Sequence, residues 1–388
     1  MKKQVRFSAF ISGILLAFLA GFVLHMGFAG ILRPHSVIAE AEEQIKTKFI
    51  GEYDAQTVQD MTIESMVNAL GDQWSHYLTP EEFTAYKAAV QNAYVGIGVT
   101  VEQKEDRGKI QIREVQEGGA AQKAGVQPGE WIVAVDGVSL EGKTMREARR
   151  LIAGAEGTDV TLTIQAADGT ERDVVLTRSA MAVVPVKYEM LEQQVGYIKI
   201  VNFDSTSSQY AKKAVQALMD QGAASLIFDV RNNPGGLLSE LLDLLDFLLP
   251  ECDTFFSVSY TGQEVMYHSD ENSVDLPVAV LVNQETYSAA EFFAAVFQET
   301  GRGQVVGVQT SGKGYSQVPI PLSNGGAIVL STAKYFTPDK VSLIGKGVVP
   351  DMVQNLTEEQ ETALQKGSLP KAEDPQVQAA WRILTKTP

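Results

Sequence analysis

The feature that most restricts the fold is a strict alternation of strand and helix patterns that begins near residue 180. Tyr197 to Phe203 reads as a strand and Ser207 to Gln221 as a helix, with Ser205-Thr206 suited to its cap. Ser225 to Val230 follows as a buried strand, and Arg231-Asn232-Asn233-Pro234-Gly235-Gly236 turns the chain into a helix from Leu237 to Leu249. Further on, an apolar strand precedes the turn Asn283-Gln284-Glu285-Thr286-Tyr287. Ser288-Ala289-Ala290-Glu291 then opens a helix, and Gln304 to Val308 reads as the next strand. Strands alternating with helices in this way build an α/β sheet.

Chemistry concentrates at two points of that pattern. Ser288 is followed three residues later by Glu291, the spacing of a capping box, in which both side chains satisfy backbone donors at a helix start. Lys313 stands between Gly312 and Gly314, and it is the only charged residue from Val305 to Asn324. A lysine serves as general base only where burial brings its pKa from about 10.4 toward roughly 7 to 8. Histidine offers little competition. His25 and His35 lie in or beside an apolar stretch, and His76 and His268 belong to no motif that would complete a Ser-His-Asp triad.

Other chemistries are excluded by composition. A single cysteine, Cys252, leaves no intrachain disulfide and no cysteine-rich zinc site, His-Glu-x-x-His is absent, and no motif calls for a metal or cofactor. Gly307 to Lys313 imitates a phosphate loop, but Gly314 stands where a Ser or Thr must bind Mg²⁺ and no helix follows. The net charge of −16 argues against nucleic acid as a partner, because phosphate binding needs a basic surface.

Thr286-Tyr287-Ser288-Ala289-Ala290-Glu291, Gly312-Lys313-Gly314 and then Gln317 together resemble the C-terminal processing peptidases, also called tail-specific proteases. The resemblance implies an α/β peptidase core of crotonase-like or ClpP-like type, with Ser288 as nucleophile, Lys313 as general base and Gln317 orienting the lysine. The Asn-Pro-Gly-Gly turn is similar to that family's oxyanion segment. Acyl transfer needs fixed donors where negative charge grows, so the expected donors are the Gly235 N–H, with Gly236 as alternate, and the Ala289 N–H. Segments 333–339 and 345–351 also match the family and are expected to shape the cleft. Tyr287 departs from the family's usual small residue, as Gln73 does from its usual proline.

Residues 92–179 change character to short strand patterns around one helix, Thr144 to Ile152. Tyr94-Val95-Gly96-Ile97-Gly98-Val99, Gly119 to Val126 and Pro128 to Ile132 occur in the order of a PDZ domain, which they resemble. In such a domain the N–H groups of the Gly96-Ile97-Gly98 loop hold a terminal carboxylate while the adjoining strand edge adds the peptide as a further strand. Ile97, Val99, Ala148 and Ile152 are expected to line the apolar groove.

The N-terminus completes the plan. Residues 1–6 carry Lys2, Lys3 and Arg6, and residues 7–32 are apolar over a length that crosses a bilayer. With acidic residues following, the body is expected on the extracytoplasmic side of the cell membrane, held by a single retained span, with a signal peptide cleaved at Ala39-Glu40-Ala41 as the alternative. Helical patterns fill 36–90, the peptidase core spans 180–356, and a charged helical region, 357–388, offers Trp381 for packing or for a homodimer contact. The expectation is a membrane-anchored serine endopeptidase acting on protein or peptide C-termini. The alternative is a PDZ-bearing scaffold without activity.

Overall fold

The computed structural model describes residues 36–103, 110–116 and 118–385. The chain divides into two units, 1–62 and 63–388. In the first, the helix Val37–Lys48 buries none of its side chains. Residues 7–32, expected to span a membrane, lie outside the described residues; among those described no helix is long and apolar enough to cross one.

The second unit contains the expected α/β layer. Strands Val195–Ile200, Ser225–Asp229, Val278–Val282, Gly303–Gly307 and Met352–Val353 lie side by side and parallel, with Val186–Met190 antiparallel at one edge. Side chains alternate between two covered faces. Ile198, Ile200, Leu226, Phe228, Val280 and Val282 pack with the helices Ser207–Asp220, Leu238–Leu248 and Ala289–Glu299. Tyr197, Ile227, Ala279 and Leu281 meet Val377, Ala379 and Ala380 of the helix Pro375–Thr385. Burial on both faces explains why the strands read as continuous apolar runs instead of alternating ones. Trp381 stays within the chain, its Nε1 donating to Glu192 O at 3.1 Å.

A second, antiparallel sheet lies within the same unit: His76–Leu78, Ala327–Phe336, Asp253–Ser259 and Glu264–His268, with Tyr315–Pro321 also on Ala327–Phe336. Little of it follows from sequence pattern, because its long strand alternates buried and half-buried positions without a clean polar face. Its function is positional. It carries the turn at 71–75 and the Lys313 loop, which precedes Tyr315.

The third sheet, Val99–Gln103, Ile110–Val115, Trp131–Val135, Asp159–Gln165 and Glu171–Thr177, folds with the helix Met145–Ile152 around its own core. At Gly96-Ile97-Gly98 the extended chain divides into two strands. Ala93–Gly96 pairs with Ser179–Ala182, and Val99–Gln103 takes the outer edge of the five-strand path. Gly98 at φ 80° makes that break, a conformation that glycine adopts without penalty.

Candidate active site

The two strand-end turns that flank the site are stitched together by side chains. Asn232 N–H donates to Asn283 Oδ1 at 2.9 Å, Asn283 Nδ2 donates to Asn232 Oδ1 at 2.7 Å, and Thr286 Oγ1 donates to Val230 O at 3.0 Å. Tyr287 N–H adds a bond to Asn233 O at 2.9 Å. Neighbouring parallel strands thus hold Ser288 against the glycine turn. A Cβ on Gly235 would stand 2.9 Å from Ser288 Cβ and 3.0 Å from Ala289 N, closer than non-bonded atoms approach. The position tolerates only glycine, for contact as much as for its φ of 91°.

Ser288 has φ 51° and ψ −121°, outside the extended region that an ordinary N-cap occupies. Strain of this kind persists where surrounding bonds enforce it. Here Glu291 supplies them. Its fully buried carboxylate accepts from the Ser288 N–H at 2.9 Å, as a capping box requires, and also from the N–H groups of Gly312 at 2.7 Å and Lys313 at 2.8 Å. Thr310 Oγ1 at 2.6 Å and Ser311 Oγ at 3.1 Å complete the set. One carboxylate therefore ties the serine turn to the lysine loop. Sequence pattern gave Glu291 only its capping half, since the second partner lies some twenty residues away in the chain.

Ser288, Lys313, Gln317, Gly235 and Gly236 line one cleft of about 560 Å³. Burial pulls the Lys313 amine below the ordinary lysine range, while Glu291 and Asp72 draw it back up. The ammonium sits 4.7 Å from the centroid of the Trp74 ring and hydrogen-bonds to neither Ser288 nor Gln317. Trp74 is in turn held by Asp72, which accepts from Trp74 N–H at 3.1 Å and Ser75 Oγ at 2.6 Å, and by the Tyr287 ring, edge-on at 6.3 Å. Tyr287, the departure from the family pattern, therefore braces Trp74.

Two placements differ from expectation. The Gly235 N–H, first choice as an oxyanion donor, already donates to Asn233 Oδ1 at 2.8 Å. The N–H groups of Gly236 and Ala289 carry no such bond among the described residues. Gln317, expected on the lysine, turns its amide to Tyr315 O at 3.0 Å and Ser331 Oγ at 3.3 Å because a register shift next to Ser316 redirects it. His76 reaches the cleft, but its Nδ1 lies 3.1 Å from Trp74 O; His268 pairs with Asp253 at 2.6 Å.

In the third sheet's domain the Gly96-Ile97-Gly98 loop commits its carbonyls, Ile97 O to Ala121 N–H and Gly98 O to Gln116 N–H, both at 2.9 Å. The N–H groups of Ile97 and Gly98 have no such partner among the described residues. The four residues expected to line the groove differ in exposure. Ile97 and Ala148 are buried in the domain core, 3 % and 0 % exposed, because their side chains face inward with Ile112 and Leu162. Val99 and Ile152 are half-buried and remain at the surface, with Val101 and Met145 beside them.

Comparison with known proteins agrees with this architecture. The description "Peptidase family S41" matches residues 194–354 and "PDZ domain" matches 111–166. The carboxy-terminal processing protease CtpA of Bacillus subtilis is 32 % identical over 319 residues, covering 82 % of this chain and 68 % of that protein. The carboxyl-terminal-processing protease of Synechocystis sp. is 33 % identical over 330 residues, covering 83 % and 76 %. Among solved structures, the photosystem II D1 C-terminal processing protease superposes with a TM-score of 0.51 at 27 % identity, over 86 % of this chain and 90 % of that one. Fold and similarity together define a serine-type peptidase that carries a PDZ domain. The chain belongs to peptidase family S41, the C-terminal processing peptidases.

Proposed function

We propose that this chain is a membrane-anchored endopeptidase that cleaves proteins near or from their C-termini with a Ser288–Lys313 dyad. The observation that carries this reading is the single cleft shared by Ser288, a partly desolvated Lys313 and the glycine turn. Neutral Lys313 takes the Ser288 hydroxyl proton as Oγ attacks the peptide carbonyl carbon. The oxyanion is met by the N–H groups of Ala289 and Gly236, fixed donors that need no reorganisation. Collapse breaks the C–N bond, the leaving amine takes the proton back from Lys313, and water then hydrolyses the ester.

In this reading Lys313 leaves the Trp74 ring for Ser288, and Gln317, which lines the same cleft, orients it there. The edge strand Val99–Gln103 and the Gly96-Ile97-Gly98 loop support capture of a substrate's C-terminal residues as an added strand. The parallel sheet covered on both faces supports grouping the core with crotonase-like and ClpP-like folds. The apolar residues 7–32, behind a basic flank, support a single membrane span with the body extracytoplasmic.

The test uses the full chain in detergent on peptides with apolar C-termini. Cleavage by wild type that is lost in Ser288→Ala and in Lys313→Ala, with intact circular dichroism, is the expected result. Equal cleavage by all three rejects the dyad. Absence of cleavage by wild type returns the scaffold reading. Release of the chain from membranes by alkaline carbonate would reject the anchor.

A further inference from the structure

Asp204 lines the same cleft as Ser288, in the segment between the strand Val195–Ile200 and the helix Ser207–Asp220. Its backbone abuts the glycine turn: Phe203 and Gly236 form a parallel bridge, and a Cβ on Gly236 would come within 2.8 Å of Asp204 N. Gly236 and Gly235 thus connect the Asp204 backbone to the Ser288 turn. The simple alternative is an acid serving the start of the helix Ser207–Asp220. The bonds oppose it, because the Ser208 N–H is taken by Glu240 Oε2 at 2.9 Å and Ser208 Oγ by Asp243 at 2.6 Å. Among the described residues the Asp204 carboxylate has neither a hydrogen-bond nor an ion-pair partner, although it is half-buried.

A half-buried carboxylate without a cation is costly unless something else supplies one. Its surroundings say what would fit. Tyr86, Ala89, Val90 and Leu238 give the cleft an apolar wall on the way to Asp204. Such a wall suits the methylene stem of a long basic side chain whose charged head ends at the carboxylate.

We propose that Asp204 is a cation subsite of the cleft, selecting a substrate with a lysine or arginine side chain beside the scissile bond. The inference rests on the reading of Ser288 as nucleophile. It also makes selection sensitive to pH. Burial, with the Glu240 carboxylate nearby, pushes the Asp204 carboxyl up to about 6, so the subsite is charged above that value and loses its charge as pH falls through it. Tyr86 from the Pro80–Val90 helix and, within the cleft, His76 and Lys313 are the other titratable groups around it.

The experiment uses the full chain and paired peptides that carry arginine or its neutral isostere citrulline at each of the two positions on either side of the scissile bond. At one position wild type should favour arginine in kcat/KM by about tenfold or more, the scale of a charge-assisted bond. Asp204→Asn should bring the ratio near unity. In wild type alone, which requires no variant to fold, the ratio should fall between pH 8 and pH 5. Ser288-dependent cleavage with no arginine preference at any position, or a preference that persists in Asp204→Asn, overturns the subsite while leaving the peptidase reading intact. Failure of wild type to cleave any peptide overturns both.

Discussion

The Lys313 ammonium lies over the face of Trp74, 4.7 Å from the ring centroid, in the same cleft as Ser288. Two opposed effects meet there. The ring stabilises the cation by about 1 to 2 kcal/mol, while its bulk keeps water away and so disfavours charge. Burial is the dominant influence on Lys313. Trp74→Ala should therefore let water in and raise the lysine pKa. Because the proposed base, Lys313, acts when neutral, the acid limb of kcat/KM against pH should move to higher pH. An unmoved limb, or one moved toward acid, would show that the aromatic contact governs instead.

Glu291 should be the least replaceable residue that never touches substrate. Glu291→Gln keeps the shape but sets amide hydrogens against some of the donors that now converge on the carboxylate. Loss of a buried, multiply bonded charge should lower stability by about 3 kcal/mol, read by urea titration. Where the fold survives at low temperature, kcat should fall more than KM changes, since the Ser288 turn and Lys313 loop lose their common tie.

Gly235→Ala tests the close approach at Ser288. The added methyl would collide with Ser288 Cβ and Tyr287 O at a backbone φ of 91°. Activity should drop at least about a hundredfold, the scale on which misplacement of reacting groups is felt. Near wild-type kcat would mean that the turn yields freely.

Asp229 anchors a buried charge cluster just before the Asn-Pro-Gly-Gly turn. Burial alone would raise its carboxyl, but Arg231, bonded at 2.6 Å, and Lys199 at 3.1 Å hold it well below the carboxylate range. Arg231 also pairs with Asp374 at 2.8 Å, which ties down the C-terminal helix. A depressed folded-state pKa means stability that is full above the unfolded value near ~3.9 and lost as pH falls below it. Asp229→Asn should cost about 3 to 5 kcal/mol at pH 7 by leaving Arg231 short of its partner. That difference from wild type should shrink below about pH 4; a constant difference would rule out a charge effect.

For the PDZ domain, a charge at Val99 and a charge at Ile97 should have different consequences. Ile97→Asp places a carboxylate in the domain core and should unfold it. Val99→Glu, at a half-buried edge position, should leave the thermal transition in place and weaken binding of a C-terminal peptide in calorimetry. Equal binding by Val99→Glu and wild type would move the groove elsewhere.

How much was legible before folding can be judged residue by residue. The strands Ser225–Asp229 and Val278–Val282 and their helices were plain, because uninterrupted apolar runs and helical periodicity are local signals. Ser288, Lys313 and the Asn-Pro-Gly-Gly turn were found through motif and spacing. Trp74 belongs to no recognisable motif, and the second set of Glu291 partners lies outside its local pattern. Both depend on which side chain arrives from another sheet, and the burial of Ile97 depends on how the strands on either side of its loop set the loop's facing direction.

The amino-acid order by itself determined the α/β core, the PDZ-like insertion and the residue types able to cleave a peptide bond, since these follow from periodicity, turn chemistry and short motifs. Only the tertiary structure decided that Lys313 rests against Trp74, that Glu291 ties two loops together, and that Gly236, instead of Gly235, keeps a free N–H. Those outcomes turn on contacts between segments far apart in the chain. A hydrogen bond between segments distant in the chain depends on packing geometry that no local pattern encodes.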